Sequence, residues 1–236
     1  MFSLEHFLWL GLATIVIFSI VFLNKKFKFT LEQNITAFFI VATVSEFVKI
    51  SSKIIIDDTG VGYLDPEALP LHLCSIHIFL IYSLKFFVKK ETTRQIILEF
   101  MFPTMLIGAT LALFIPTEGT DFAKVQLYEY FLYHAYMIGF SLYLITCKVI
   151  NIRYKTIIRN FALIIALAVF ALWVNSILSY ADVNFLFLRR PPLEGLPILN
   201  LNNGWFAYVG TIILIAFVSL TALQLPFAIK NEKNKK

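Results

Sequence analysis

Charge is scarce in this sequence. Only 15% of its 236 residues are Asp, Glu, Lys or Arg, against roughly 25% in soluble globular domains. That deficit excludes an ordinary soluble enzyme and, with 59% hydrophobic residues, a disordered chain. Cysteine is nearly absent. Cys74 and Cys147 are the only two, too few for a disulfide scaffold. No His-x-Glu or His-x-x-x-His pair occurs, so the spacing for a zinc site is poor and no metal or other cofactor is expected. Internal repeats are lacking, and the only biased segment is the lysine-rich tail.

What is present is apolar, with a mean hydropathy of +0.79. A membrane-crossing helix needs about 20 residues, and seven hydrophobic runs approach that length: Phe7–Leu23, Ile35–Ile56, Leu71–Val88, Ile96–Ile115, Phe131–Ile150, Ile158–Tyr180 and Trp205–Ile229. The expected fold is therefore all-α, a polytopic seven-helix bundle forming one domain over residues 1–236. The first run lacks a basic leader and a small-x-small cleavage site, and reads as a retained anchor.

The net charge of +5 is an orientation signal. Fifteen of the 20 basic residues flank the breaks after runs 1, 3 and 5 or sit at the C-terminal end, including the basic tail 230–236. The other breaks carry acids such as Asp57, Asp58, Glu118, Glu129, Asp182 and Glu194. By the positive-inside rule the N-terminus is expected outside and the tail in the cytoplasm of a multi-pass cell-membrane protein. This clustering needs no nucleic-acid partner. Oligomeric state is not legible.

Chemistry-bearing side chains gather at the expected outer ends. His6, His72, His77 and His134 all fall there, with Cys74 among them, while Cys147 falls at the opposite end. Bilayer thickness separates the two thiols, so they do not form a disulfide. In Leu69-Pro70-Leu71-His72-Leu73-Cys74 the proline suits a first helical turn. Cys74 then lies near a helix N-terminus, which favours a thiolate. His77 is three residues on and shares its face, while His134 would approach from another helix. A thiol beside a base is a nucleophile at neutral pH, although buried cysteine also serves as a small apolar residue. Glu46, Lys49 and Lys53 line one helix face at depth, either as a structural pair with a snorkelling lysine or as a polar cavity that meets phosphate. Asn175 fits such a cavity. Arg189 and Arg190, in the long 181–204 connection with Pro197, suit a lipid phosphate.

These segments resemble the YwaF-type family of bacterial integral membrane proteins, related to eukaryotic transmembrane protein 164. The resemblance rests on Phe2-Ser3-Leu4-Glu5-His6, on Leu69-Pro70-Leu71-His72-Leu73-Cys74, on Tyr133-His134, and on Asn175 with Asn184-Phe185-Leu186-Phe187-Leu188-Arg189-Arg190-Pro191. Where the family has a Gly-Pro-Trp-Pro-like segment, this chain reads Asn203-Gly204-Trp205-Phe206. For the eukaryotic branch the resemblance implies a cysteine-dependent acyltransferase acting on phospholipid or lysophospholipid. Cys74 matches the nucleophile and His134 the base. Acyl transfer or hydrolysis, with His6, His72, Lys49, Lys53, Glu46, Asn175, Arg189 and Arg190 around the substrate, is thus the leading expectation. A metal-dependent hydrolase built on the histidines and a transport or binding protein built on the charged face are the alternatives.

Overall fold

A computed structural model of the chain describes residues 3–193, 195–196 and 198–234. Phe2, Glu194, Pro197, Lys235 and Lys236, named above, lie outside the described residues. Seven α-helices form among the described residues: α1 (Leu4–Phe27), α2 (Leu31–Ser52), α3 (Leu73–Tyr82), α4 (Glu91–Phe114), α5 (Val125–Thr146), α6 (Tyr154–Ile177) and α7 (Trp205–Lys233). Five of them, α1, α2, α4, α6 and α7, are long and apolar enough to cross a membrane. The fold is all-α apart from one hairpin.

That hairpin corrects the second expected span. The helix stops at Ser52, and Ile54–Ile56 (β1) pairs antiparallel with Gly62–Leu64 (β2), Ile54 opposite Leu64. Three consecutive β-branched residues before Asp57-Asp58-Thr59-Gly60 suit a strand and tight turn better than a helix end. Gly60 takes the left-handed conformation the turn requires, at φ 82°. The Thr59 hydroxyl and the Val61 N–H donate to the Asp57 carboxylate and hold its pKa below the ordinary range.

Two other boundaries move. α3 begins at Leu73, so Pro70 precedes the helix instead of opening it, and its last turns continue as a π-helical stretch over Ser83–Phe87. Arg94 meets the carbonyls of Leu84 and Val88 at 2.9 and 3.2 Å and pairs with Glu32, which completes the hydrogen bonding around that stretch. α5 starts six residues before the expected Phe131. It carries five tyrosines, Gln126 and Glu129, a composition that suits protein contact more than lipid, and twelve of its 22 residues are buried.

The chain forms two compact units. Unit 1 comprises Met1–Leu64 and Leu73–Asn151; unit 2 comprises Asp65–His72 and Ile152–Lys236. In unit 1, α5 is the centre, packed by α1, α2 and α4. Trp9 of α1 stacks between Phe122 and Phe131 at 4.5 and 4.7 Å and donates its indole N–H to the Thr120 carbonyl at 3.1 Å. Beside Pro103 of α4, the Ser141 hydroxyl donates to the Phe102 carbonyl at 2.6 Å. The outer face of α1 exposes Phe7, Ile15, Phe18 and Phe22, as expected of a helix bathed in lipid.

In unit 2, α6 and α7 are tied by the buried Asn160–Gln224 hydrogen bond at 2.8 Å and by Phe161 against Phe217. Val183, Phe185 and Leu188 form a small core with Ala171, covered by Leu69 and Leu71.

Candidate functional site

Unit 1 contains a polar cluster between α2, α3 and α5. Glu46 and Lys49 of α2 form an ion pair at 2.8 Å, and the Lys49 ammonium donates to Ser75 of α3 at 3.1 Å. One residue before Glu46, the Ser45 hydroxyl donates to Glu129 of α5. Tyr133 of α5 donates its hydroxyl to the carbonyl of Cys74 at 3.0 Å. Three helix-to-helix polar contacts, with the Glu46–Lys49 pair inside α2, thus surround the second residue of α3. Lys49 and Glu129 both act electrostatically on the Cys74 thiol, which is partly buried. One turn beyond Glu129, His134 places Nδ1 at 2.6 Å from the Tyr130 carbonyl. A carbonyl only accepts, so Nδ1 carries the proton and Nε2 is left as the acceptor. Nε2 makes no hydrogen bond with a described residue, and the Cys74 thiol and the His134 ring are not hydrogen-bonded to each other.

The other histidines have other partners. His77 is fully buried, and its Nε2 meets Thr104 at 2.9 Å. Thr104 spends its hydroxyl proton on the Phe100 carbonyl at 2.7 Å, so the imidazole is the donor in that pair. His6 donates from Nε2 to the Leu113 carbonyl at 2.8 Å, joining α1 to α4. His72 belongs to unit 2, where its ring lies 5.4 Å from both Phe185 and Phe187. No three His, Cys, Asp or Glu side chains among the described residues gather as metal ligands would. Lys53 leaves the α2 face because the helix has ended. It pairs instead with Glu118 at 3.6 Å.

Unit 2 holds the remaining predicted residues, Asn175 on α6 and Arg189 and Arg190 in the loop that Asn175 clamps. Asn175 of α6 clamps Phe185, accepting from its N–H at 2.9 Å and donating to its carbonyl at 3.1 Å. Asn184 accepts from the Arg189 N–H and donates to the Arg190 carbonyl. These clamps hold Leu186 and Phe187 at φ 55° and 54°, a left-handed conformation that large side chains rarely adopt. Arg189 and Arg190 share the carboxylate of Asp182, at 3.2 and 2.8 Å. The Arg190 hydrogen bond holds the Asp182 pKa below the ordinary range. An open groove of about 470 Å³ beside them is lined by Asn175, Ser176, Ser179, Arg189, Leu172 and Trp205.

Sequence reasoning missed Ser45, Ser75, Glu129 and Tyr133. Glu129 falls outside the apolar run Phe131–Ile150 because Tyr128, Glu129 and Tyr130 interrupt it. Its spacing of five from His134 was the available signal, once the helix is known to start at Val125.

Helices of this length and hydropathy define an α-helical membrane protein. The chain belongs to the TMEM164 family, whose profile matches residues 1–223. No curated protein and no solved structure matches it.

Proposed function

We propose that this protein is a membrane-embedded enzyme that moves or hydrolyses acyl groups of phospholipid or lysophospholipid, with Cys74 as nucleophile and His134 as base. The observation that carries the reading is the polar cluster itself. In a chain with so little charge, Lys49 and Glu129 lie beside the start of α3. Glu46 is paired to Lys49, and His134 is next to Tyr133, whose hydroxyl meets the Cys74 carbonyl. Charges at membrane depth are costly unless they serve a purpose. The tautomer held by Tyr130 leaves Nε2 of His134 to accept a proton.

In this mechanism Nε2 takes the thiol proton, directly or through one water, and the Cys74 sulfur attacks the ester carbonyl carbon. Catalytic hydrogen bonds are often loose before substrate binds and tighten in its complex. The ester C–O bond breaks, the imidazolium returns its proton to the departing alcohol, and a thioester remains on Cys74. A lipid hydroxyl or water then attacks the thioester, giving up its proton to His134, and the thiol is restored. Lys49 is the cation of the cluster that meets lipid phosphate when it exchanges partners with Glu46.

The same reading has seven spans, with the start of the chain outside and the lysine-rich end in the cytoplasm. It is supported by the five apolar helices, by α5 as a span enclosed by protein, and by fifteen cations concentrated at one set of breaks. Turnover of defined phospholipids and lysophospholipids, followed by acyl-chain mass spectrometry, tests the chemistry. The expected result is loss of turnover by more than about a hundredfold in Cys74→Ala with the variant still folded. Full turnover in that variant overturns it.

A further inference from the structure

Unit 1 has a second polar feature at the C-terminal ends of α1 and α5, where the α1 end carries Lys25 and Lys26. There a groove of about 310 Å³ is lined by Asn24, Lys25, Lys28, Phe29, Tyr143 and Cys147. Its floor is fixed. Asn24 is buried, donates to the Ile20 carbonyl at 2.9 Å and accepts from Asn34 at 2.8 Å. Its rim is cationic, and no carboxylate among the described residues lines it. Lys25 and Lys28 form no ion pair with a described residue, whereas Arg94 of the same unit is bound to Glu32. Lys28 sits just past the end of α1 in the left-handed conformation at φ 52°, its N–H bonded to the Asn24 carbonyl. Lys26 faces elsewhere, toward the rings of Phe22 and Phe27.

The ends of α1 and α5 contribute roughly half a negative charge each. Two ammonium groups outweigh them and leave the groove net positive. Two free cations, amide and phenol groups on the floor, and Phe29 on the wall together suit a phosphate that carries an apolar tail. We propose that this groove binds a phosphate group, that of an anionic phospholipid headgroup, at a site separate from the Cys74 cluster. The site does not depend on acyl chemistry at Cys74. The exposed thiol of Cys147 lines the groove and reports on its occupancy.

The test measures the rate at which a neutral maleimide modifies Cys147, resolved by peptide mass spectrometry, on full-length protein in nanodiscs. Discs of phosphatidylcholine alone are compared with discs containing phosphatidylglycerol, and with phosphatidylcholine discs in millimolar inorganic phosphate. The expected result is slower modification in phosphatidylglycerol. Each lysine near the surface contributes about fivefold to anionic-lipid affinity. K25Q/K28Q therefore removes most of the protection, while the equal charge loss of K26Q/K233Q leaves it in place. Protection by inorganic phosphate alone, lost in K25Q/K28Q, supports the phosphate site and assigns it to a soluble ligand. Equal rates in all three conditions, or protection that survives K25Q/K28Q, overturns it.

Discussion

Around residues 182–190 of unit 2, the buried polar side chains bind backbone. Asn175 holds both polar groups of Phe185, Asn184 holds the turn at Arg189 and Arg190, and Tyr208 donates to the Phe187 carbonyl. Around the start of α3 in unit 1, polar side chains bind one another: Glu46 to Lys49 along α2, and across helices Lys49 to Ser75 and Ser45 to Glu129. A side chain committed to backbone has spent its hydrogen bonds on shape. A network of side chains, with an imidazole nitrogen and a thiol beside it, keeps capacity for a reacting molecule. Both regions looked alike in the sequence, as polar residues near the ends of apolar runs. Only their partners separate a scaffold from a candidate site.

The contrast is open to attack, most strongly at Asn175. Asn175→Ala leaves a buried N–H and a buried carbonyl of Phe185 without partners, at about 1–3 kcal/mol each. Unfolding in detergent by denaturant titration should show a loss of about 2–6 kcal/mol, and a loss near zero would mean that the clamp is not structural. In unit 1 the scaffold depends on close packing. A Cβ at Gly139 of α5 would meet Ile20 of α1 at 2.6 Å. Gly139→Ala is expected to destabilise by about 1–3 kcal/mol in the same titration, and a neutral result would show that α1 yields freely.

The smallest effect is electrostatic. The Asp182 carboxyl titrates below its ordinary value because Arg190, then Arg189, favours its charged form. The stability this supplies is present above the ordinary carboxylate pKa and fades as pH falls through the lowered folded value. Thermal melts between pH 5 and 3 should therefore show a slightly steeper acid loss in the parent chain than in Asp182→Asn. Identical slopes would remove the ion pair from the account.

Much of the architecture was legible because apolar runs of membrane length are hard to disguise. The misreadings share one cause, which is that hydropathy reports the surroundings of a segment and not its conformation. Ile54, Ile55 and Ile56 extended the second run although their branching and the following turn favour a strand. Glu129 lies outside the apolar run yet inside α5, because a helix enclosed by protein need not be apolar. Within the site, Cys74, Glu46, Lys49 and His134 stood out by residue type. Ser45, Ser75 and Tyr133 did not, since hydroxyl groups are common in such helices and only the packing reveals their partners. Nor did spacing tell His77 from His134. The difference lies in Thr104, which occupies the first, and in the Tyr130 carbonyl, which orients the second.

The central claim is that Cys74 carries the acyl group, and the covalent intermediate is its most direct test. Purified protein incubated with phospholipid and quenched in acid should gain the mass of one fatty acyl chain on the peptide containing Cys74. Neutral hydroxylamine should remove that mass, and His134→Ala should slow its appearance. Lipid turnover that proceeds at full rate in Cys74→Ala, with no acyl adduct at residue 74 of the parent chain, would contradict the account.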